Sequence, residues 1–119
     1  MRIEIPVSVG ELLDKISILS IKSQHTSNEY VKKELQELIK IAQEHKVYDA
    51  SYVSRLLTIN RKLWNIEDEL RVMEKSQVFD GKFIELARGV YITNDERAKI
   101  KKEINETYNS SMREIKLYE

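Results

Sequence analysis

The chain has 119 residues, 34% of them charged, and its 20 Lys and Arg residues balance its 20 Asp and Glu residues. A chain of this length can bury one hydrophobic core, and a balanced charge creates no field that favours nucleic acid or an anionic membrane. With no cysteine and two histidines, it can build neither a disulfide framework nor the usual zinc sites. We therefore expect a single domain over residues 1–119, with no metal or other cofactor.

The N-terminal residues lack a signal-peptide pattern, and no apolar run approaches the length needed to cross a membrane. We therefore expect a soluble, cytoplasmic protein. Three glycines and one proline leave few breaks for loops, which favours a mainly helical fold.

Short alternating patterns stand at both ends of the chain. Residues 2–7 carry Ile3, Ile5 and Val7 on one side, and residues 113–119 alternate in the same way through Ile115 and Leu117. Two isolated strands are only marginally stable. We therefore predict that the two segments pair as a small ribbon against the helices, which would bring the termini together.

Two capping patterns open the first two helices. Ser8 followed by Glu11 predicts a helix that ends near Gln24 and is apolar on two sides, which is typical of a helix packed between others. Residues 26–29 repeat the capping pattern and begin a second helix with a single apolar stripe over residues 31–42. We expect this second helix to lie at the periphery.

The longest apolar repeat predicts two helices that fold back on each other. A third helix, from about Asp49 or Ser51 to about Ser76, has apolar residues at alternating spacings of four and three, as in a coiled-coil seam. After a short turn, Asp80 caps a fourth helix, which we predict to be continuous although residues 93–96 form a third capping pattern. In this antiparallel hairpin, residues whose numbers add up to about 158 face each other.

Both helices of the hairpin turn polar at the same level. The seam of the fourth helix is apolar at its ends and polar in the middle, and the third helix carries polar residues and one tryptophan opposite. Buried charges must be paired, hydrated or bound to a ligand. We therefore identify a candidate ligand-binding site with these members: Trp64, Glu67, Asp68, Arg71, Arg88, Tyr91, Asn94, Asp95, Arg97 and Lys101.

Two interpretations of this polar zone stay open. In the first, Arg88, Arg97 and Lys101 receive an anionic group in a cleft. An aromatic side chain stacks on the ligand, and carboxylates accept hydrogen bonds from its hydroxyls. In the second, Glu67 and Asp68 pair with Arg88 and Arg97 across the helices, and Trp64 is ordinary core.

A metal-dependent reaction is the catalytic alternative. The first two helices each carry a carboxylate pair on one face, as Mg²⁺-dependent nucleotide pyrophosphohydrolases do, but the two pairs stand in the reverse order. A small nucleotide hydrolase would instead use Glu67, Asp68 and Asp95.

Three runs resemble a family of short bacterial and phage proteins that is known as a domain of unknown function: IPVSVGELLDKISIL, LWNIEDELR and FIELARGVYITNDERAKIKKEIN. The runs occur in the family's order and span nearly the whole chain. The resemblance implies no activity, but it implies an association with sugar transfer and surface-polysaccharide synthesis. It also puts the following residues in motif positions: Asp14, Lys15, Trp64, Glu67, Asp68, Arg71, Arg88, Tyr91, Asn94, Asp95 and Arg97.

Together these patterns predict a mainly α domain, an antiparallel helical bundle built on a long hairpin. The function we expect is a non-catalytic binding or accessory module. Its polar cleft would take an anionic ligand, linked to a sugar or a nucleotide, or a protein partner. Two other functions stay open: a small Mg²⁺-dependent nucleotide hydrolase, and a purely structural oligomer such as a homodimer in which the third helix serves a second chain.

Overall fold

The computed structural model describes residues 1–117 and contains four helices in that part of the chain. They are α1 (Val9–His25), α2 (Glu29–Glu44), α3 (Ala50–Lys75) and α4 (Gly81–Thr107). The mainly helical fold expected from the sequence is confirmed. Among the described residues, no helix is both long and apolar enough to cross a membrane.

Side-chain caps start the helices, as the sequence patterns predicted for α1 and α4. Ser8, Asp49 and Asp80 each accept a hydrogen bond from the backbone N–H three residues later. The cap of α2 differs from the expected pattern, because Asn28 accepts the N–H of Tyr30 while the Thr26 hydroxyl accepts the N–H of Asn28. Asparagine caps a helix at least as well as threonine, so the start moves by two residues.

The long hairpin of α3 and α4 has the predicted register. Tyr52 lies opposite Thr107, with 3.1 Å between their hydroxyl oxygens, and Arg55 pairs with Glu103 one turn further along the hairpin. Helix α4 runs through Thr93 without a break, as expected. Thr93 is fully buried there, so the packing of the hairpin overrides the local capping pattern.

Helix α1 is the central element, because it packs against α2 on one side and against both helices of the hairpin on the other. Leu13 and Ile16 of α1 join Leu56 of α3 and Ile104 of α4 in the core, and Ala42 extends that core to α2. Helix α2 has one apolar face and is otherwise mostly exposed, as expected for a peripheral helix.

The predicted ribbon between the termini does not form in residues 1–117, where the structure contains no strand. Ile3 and Ile115 are each 77% exposed. The two segments lie on different helices, since Arg2 pairs with Glu37 on α2 while Lys116 pairs with Asp95 on α4. Contacts with separate helices keep them apart. Residues 118 and 119 of the expected second strand lie outside the described residues.

The far half of the hairpin carries no other helix. We call residues 64–92 the bare hairpin, because none of the side chains described there is buried, whereas Leu63 and Thr93 on either side of it are. It extends past α1 by roughly 16–18 Å at 1.5 Å per helical residue. Large apolar side chains such as Val72 and Ile84 are therefore more than half exposed.

Candidate functional site

A buried carboxylate joins three helices at the polar level of the hairpin. Asp14 of α1 is completely buried and accepts hydrogen bonds from Arg97 of α4. Arg97 Nε lies 3.1 Å from each carboxylate oxygen, and Nη2 lies 2.5 Å from Oδ2. A planar guanidinium that meets a carboxylate in this way offsets much of the cost of burying the two charges.

Asn60 of α3 completes the junction. Its side-chain nitrogen donates to Asp14 Oδ1 and to Ser17 Oγ, at 2.8 Å in each case. The Ser17 hydroxyl in turn donates to the backbone carbonyl of Asp14 at 2.7 Å. Asp14, Ser17 and the amide nitrogen of Asn60 therefore all have hydrogen-bond partners, which is the condition for a polar core to be stable.

A small cavity opens beside this junction, where α1, α3 and α4 meet. Its volume is about 230 Å³. We call it the central cavity, and it is lined by Ile18, Ile21, Asn60, Leu63, Trp64, Glu67, Asn94 and Arg97. Four of the ten predicted site residues therefore line the same cavity: Trp64, Glu67, Asn94 and Arg97. Ile18 and Ile21 of α1 give the cavity wall an apolar part, and the hairpin contributes both apolar and polar side chains.

The indole of Trp64 is held in place on the side of α1. The His25 ring stacks on it at the end of α1, with 4.6 Å between ring centroids and 16° between ring planes. Stacking of this kind fixes an aromatic side chain without burying it completely. Trp64 is half-buried, and part of it remains available to the cavity.

Arg97 keeps hydrogen-bonding capacity on its cavity side. Its side chain is 26% exposed although its partner Asp14 is not exposed at all. Among the described residues, Nη1 reaches only the side-chain oxygen of Asn94, at a long 3.5 Å. A guanidinium has five N–H donors, so donors remain for a ligand. Its positive charge, however, is matched by Asp14, and Glu67 adds a negative charge to the wall.

Lys101 and Asp95 face the C-terminal segment rather than the central cavity. Lys101 is buried and lies 2.7 Å from Glu11 and 3.2 Å from Glu114. Burial is the largest single influence on the pKa of Lys101 and lowers it, but the hydrogen bonds from Lys101 to Glu11 and Glu114 and the negative charges of Glu11 and Asp14 together raise that pKa. The hydrogen bond between Lys101 and Glu11 lowers the pKa of Glu11. Asp95 pairs with Lys116 of the C-terminal segment.

The other predicted residues lie on the bare hairpin and are exposed. Arg88 Nε donates to the hydroxyl of Tyr91 at 3.3 Å, on the outer side of α4. Arg71 lines a groove of about 330 Å³ that we call the distal groove, and Asp68 lines a different groove. The distal groove is formed by Glu67, Leu70, Arg71, Glu74, Phe83, Ala87 and Val90. The three basic residues of the predicted site, Arg88, Arg97 and Lys101, thus do not converge on one point.

The ion-pair network expected as the second interpretation is not present in residues 1–117. No ion pair there involves Glu67, Asp68 or Arg88. Arg97 is paired, but with Asp14 of α1. The second interpretation was wrong about the partner of Arg97, because α1 brings a carboxylate into the space between the two helices of the hairpin.

Neither Asn60 nor Ser17 was among the predicted site residues. Asp14 was considered as a residue of the first helix that could close the cleft and as a motif position of the family, but it was not among the predicted site residues either. The apolar pattern of α1 contains enough information to predict that Asp14 and Ser17 are buried. A helix with apolar residues on two sides leaves little exposed surface, so Asp14 and Ser17, three residues apart, had to be buried and had to find partners. Lys15, the neighbour of Asp14, is exposed.

Comparisons with known proteins give one family. A comparison with curated proteins and a comparison with solved structures each find no match. A family model described as a family of unknown function, DUF6165, matches residues 1–119, which is the whole chain. The chain therefore belongs to the DUF6165 family.

Proposed function

We propose that this protein is a non-catalytic binding module whose central cavity takes a sugar ring of a sugar-linked ligand. The observation that carries the proposal is the composition of the cavity wall. One side chain, Trp64, offers an aromatic surface, and Glu67, Asn94 and Arg97 converge on the same space. Concave sites with an apolar lining and a few oriented polar groups are the usual form of small-ligand sites.

The chemistry of the wall suits a ring with hydroxyl groups. The Glu67 carboxylate accepts hydrogen bonds, the Arg97 guanidinium donates them, and the Asn94 amide can do both. A sugar ring has C–H groups on its faces, which pack on an indole, and hydroxyls at its edge. Each hydroxyl is both donor and acceptor, so it can match either kind of side chain.

Charge and size limit what enters the cavity. The charge of Arg97 is matched by Asp14, and Glu67 would repel a phosphate or carboxylate held inside. A volume of about 230 Å³ is below the range of roughly 300–1,000 Å³ that is usual for drug-sized ligands. The proposed ligand therefore puts one neutral ring in the cavity, and its anionic or nucleotide part remains outside.

The family resemblance agrees with such a ligand. It implies an association with sugar transfer and surface-polysaccharide synthesis, where sugars occur as phosphates and nucleotide-linked donors. We include this association in the proposal. A cytoplasmic location, in which such donors are made, belongs to the same proposal.

Trp64 makes the proposal directly testable, because it is the one tryptophan of the chain. Its fluorescence would be recorded while glucose, glucose 1-phosphate and UDP-glucose are added in turn at a fixed protein concentration. We expect at least one of them to change the emission with a saturable dependence. The same compound should raise the melting temperature, since a ligand at about a hundred times its Kd adds about 2.7 kcal/mol of stability.

The variant Glu67→Gln supplies the specificity test, and Glu69→Gln is its matched control. Glu69 is two residues away and lines a groove on another side of α3. We expect binding of the sugar compound to weaken by about tenfold or more in Glu67→Gln, which loses a charged acceptor, and to be unchanged in Glu69→Gln. Equal binding by the two variants, or no response of Trp64 to any of the three compounds, would contradict the proposal.

No observation favours the metal-dependent hydrolase. Its three carboxylates line separate surfaces, with Glu67 at the central cavity, Asp68 at a groove on another side of α3, and Asp95 beside the C-terminal segment. Among residues 1–117 no group of three or more His, Cys, Asp or Glu side chains is arranged to hold a metal ion. Binding is therefore the function that the geometry supports best.

A further inference from the structure

The bare hairpin is built as half of a four-helix bundle. Two antiparallel helices bury only the seam between them, and a stable helical bundle needs a second layer on the open face. Helix α1 supplies that layer on the near half of the hairpin and ends beside Trp64, where His25 stacks on the indole. Beyond that point the distal groove continues along the hairpin with no helix in it.

The distal groove has the composition of an interface. Leu70 of α3 faces Phe83 and Val90 of α4, and all three are only half-buried. The charges on the α3 side of the groove alternate in sign, in the order Glu67, Arg71, Glu74. Within the described part of the chain, none of these three charges belongs to an ion pair, although each of the four helices forms at least one ion pair elsewhere.

We propose that the distal groove binds the distal groove of a second copy of this chain, so that two bare hairpins form an antiparallel four-helix bundle. Isologous contact requires a surface that is complementary to itself. The alternating charges meet that requirement when α3 of one protomer runs antiparallel to α3 of the other. A twofold axis close to Glu69 then sets Arg71 against Glu67 of the partner subunit, and the same pair recurs by symmetry.

The position of this axis follows from the length of the free surface. With the axis close to Glu69, the overlap on α3 runs from Trp64 to Glu74. It therefore uses the whole free length between the end of α1 and the end of the helix. Leu70 then lies close to the axis, where it meets the apolar centre of the partner's groove.

The overall charge of the chain also suits self-association. Equal numbers of acidic and basic residues give a formal net charge of zero at pH 7, so two copies do not repel each other at long range. The dimer is inferred without reference to what the central cavity binds, although Glu67 lines both the cavity and the distal groove. If the chain dimerises but binds no sugar, only the proposed function fails. If it binds sugar but stays a monomer, only the proposed dimer fails.

Sedimentation equilibrium of the full chain is the first test. We expect the mass to rise with concentration from that of one chain, 14.1 kDa, to twice that value. A mass that stays at one chain at all concentrations would overturn the proposal.

Charge reversal tests where the interface lies. In an Arg71→Glu dimer, an acidic side chain at position 71 faces Glu67 of the partner subunit at both symmetric contacts. In a Glu67→Arg dimer, both contacts set two arginines against each other. We expect each variant alone to dimerise about tenfold more weakly than the unmodified chain. An equimolar mixture of the two variants should regain dimers, because each mixed pair then joins opposite charges.

Lys33→Glu is the matched control, because it reverses an exposed charge on α2, away from the hairpin. Circular dichroism would establish that all variants retain the helical fold. Dimers that are equally stable in Arg71→Glu and Lys33→Glu, or folded variants whose mixture stays monomeric, would overturn the assignment of the interface to the distal groove.

Discussion

Asp14 is the residue on which the junction of α1, α3 and α4 depends most directly. It has no contact with solvent. Its two carboxylate oxygens accept hydrogen bonds from Nε and Nη2 of Arg97 and from the side-chain amide of Asn60. Because water does not reach this carboxylate, Arg97 and Asn60 are its side-chain hydrogen-bond partners. The orientation of Arg97, and with it one wall of the central cavity, is therefore set by a residue that does not line the cavity.

The variant Asp14→Asn tests this dependence. It keeps the shape of the side chain but removes its charge, so that a partly buried guanidinium faces a neutral amide. We expect the free energy of unfolding to fall by about 3 kcal/mol, the lower end of the range for breaking a buried ion pair, because Arg97 can still reach water. Urea unfolding followed by circular dichroism measures the change.

Asp68→Asn is the control for this prediction. Asp68 is exposed and belongs to no ion pair in the described residues, so the same chemical change should alter the stability by no more than about 0.5 kcal/mol. Similar losses in the two variants would mean that Asp14 has no special structural role.

Helix α1 meets α4 at very close range near its N-terminus. The backbone N–H of Gly10 donates to the Asn105 side chain at 2.7 Å. A methyl group on Gly10 would lie 2.7 Å from the backbone oxygen of Lys101 and 3.0 Å from Asn105 Oδ1. Contacts this short require the two helices to move apart.

Gly10→Ala should therefore destabilise the protein by about 1–3 kcal/mol, although alanine is the better helix former. Thermal unfolding would measure the change. Gly81→Ala serves as the control, since nothing lies within 4 Å of the added methyl group. A higher melting temperature for Gly10→Ala than for the unmodified chain would show that the helices adjust without cost.

Glu11 links the same two helices through an ion pair. Its pKa is lowered from 4.5 by the hydrogen bond from Lys101, so the folded state favours the ionised carboxylate. The pair therefore contributes stability above pH 4.5, and this contribution is lost as the pH falls through the lowered pKa of the folded state.

The lowered pKa of Glu11 predicts how the effect of Glu11→Gln on stability changes with pH. The variant should melt at a lower temperature than the unmodified chain at pH 7, and the difference should close as the pH falls below 4.5. Melting curves recorded between pH 7 and pH 3 check this. The exposed residue Glu34 provides the comparison, because Glu34→Gln should show no such convergence. A gap that persists at low pH would mean that packing, and not charge, is what the substitution removes.

The molecule as a whole is divided along its longest dimension. Its extents are 48 × 36 × 28 Å, and the buried core occupies the part where α1 crosses the hairpin. The far part consists of two helices alone. The central cavity lies at the boundary between these parts, and Glu67 lines both the cavity and the distal groove. Dimer formation through the groove would therefore place the second copy at the mouth of the proposed binding site.

Local patterns in the chain were enough to predict the helices and the hairpin. A cap such as Ser8 or Asp80 acts on a backbone group three residues away, and an apolar seam depends on spacings of three and four. Two helices of similar length joined by a short connection must then fold back on each other, which predicts the turn after α3. Because all these interactions are local, the register that puts Arg55 opposite Glu103 could be predicted without the fold.

Contacts between distant residues decided the rest. Arg97 and Asp14 are 83 residues apart, and no local pattern could predict that α1 would cross the hairpin at the height of Arg97. For the same reason the sequence predicted a ribbon from alternation at the two ends, although Arg2 and Lys116 attach those ends to different helices. Periodicity tells which side of a helix is polar. Which partner meets that side depends on how all the apolar surfaces are buried together, and that is settled only when the helices pack.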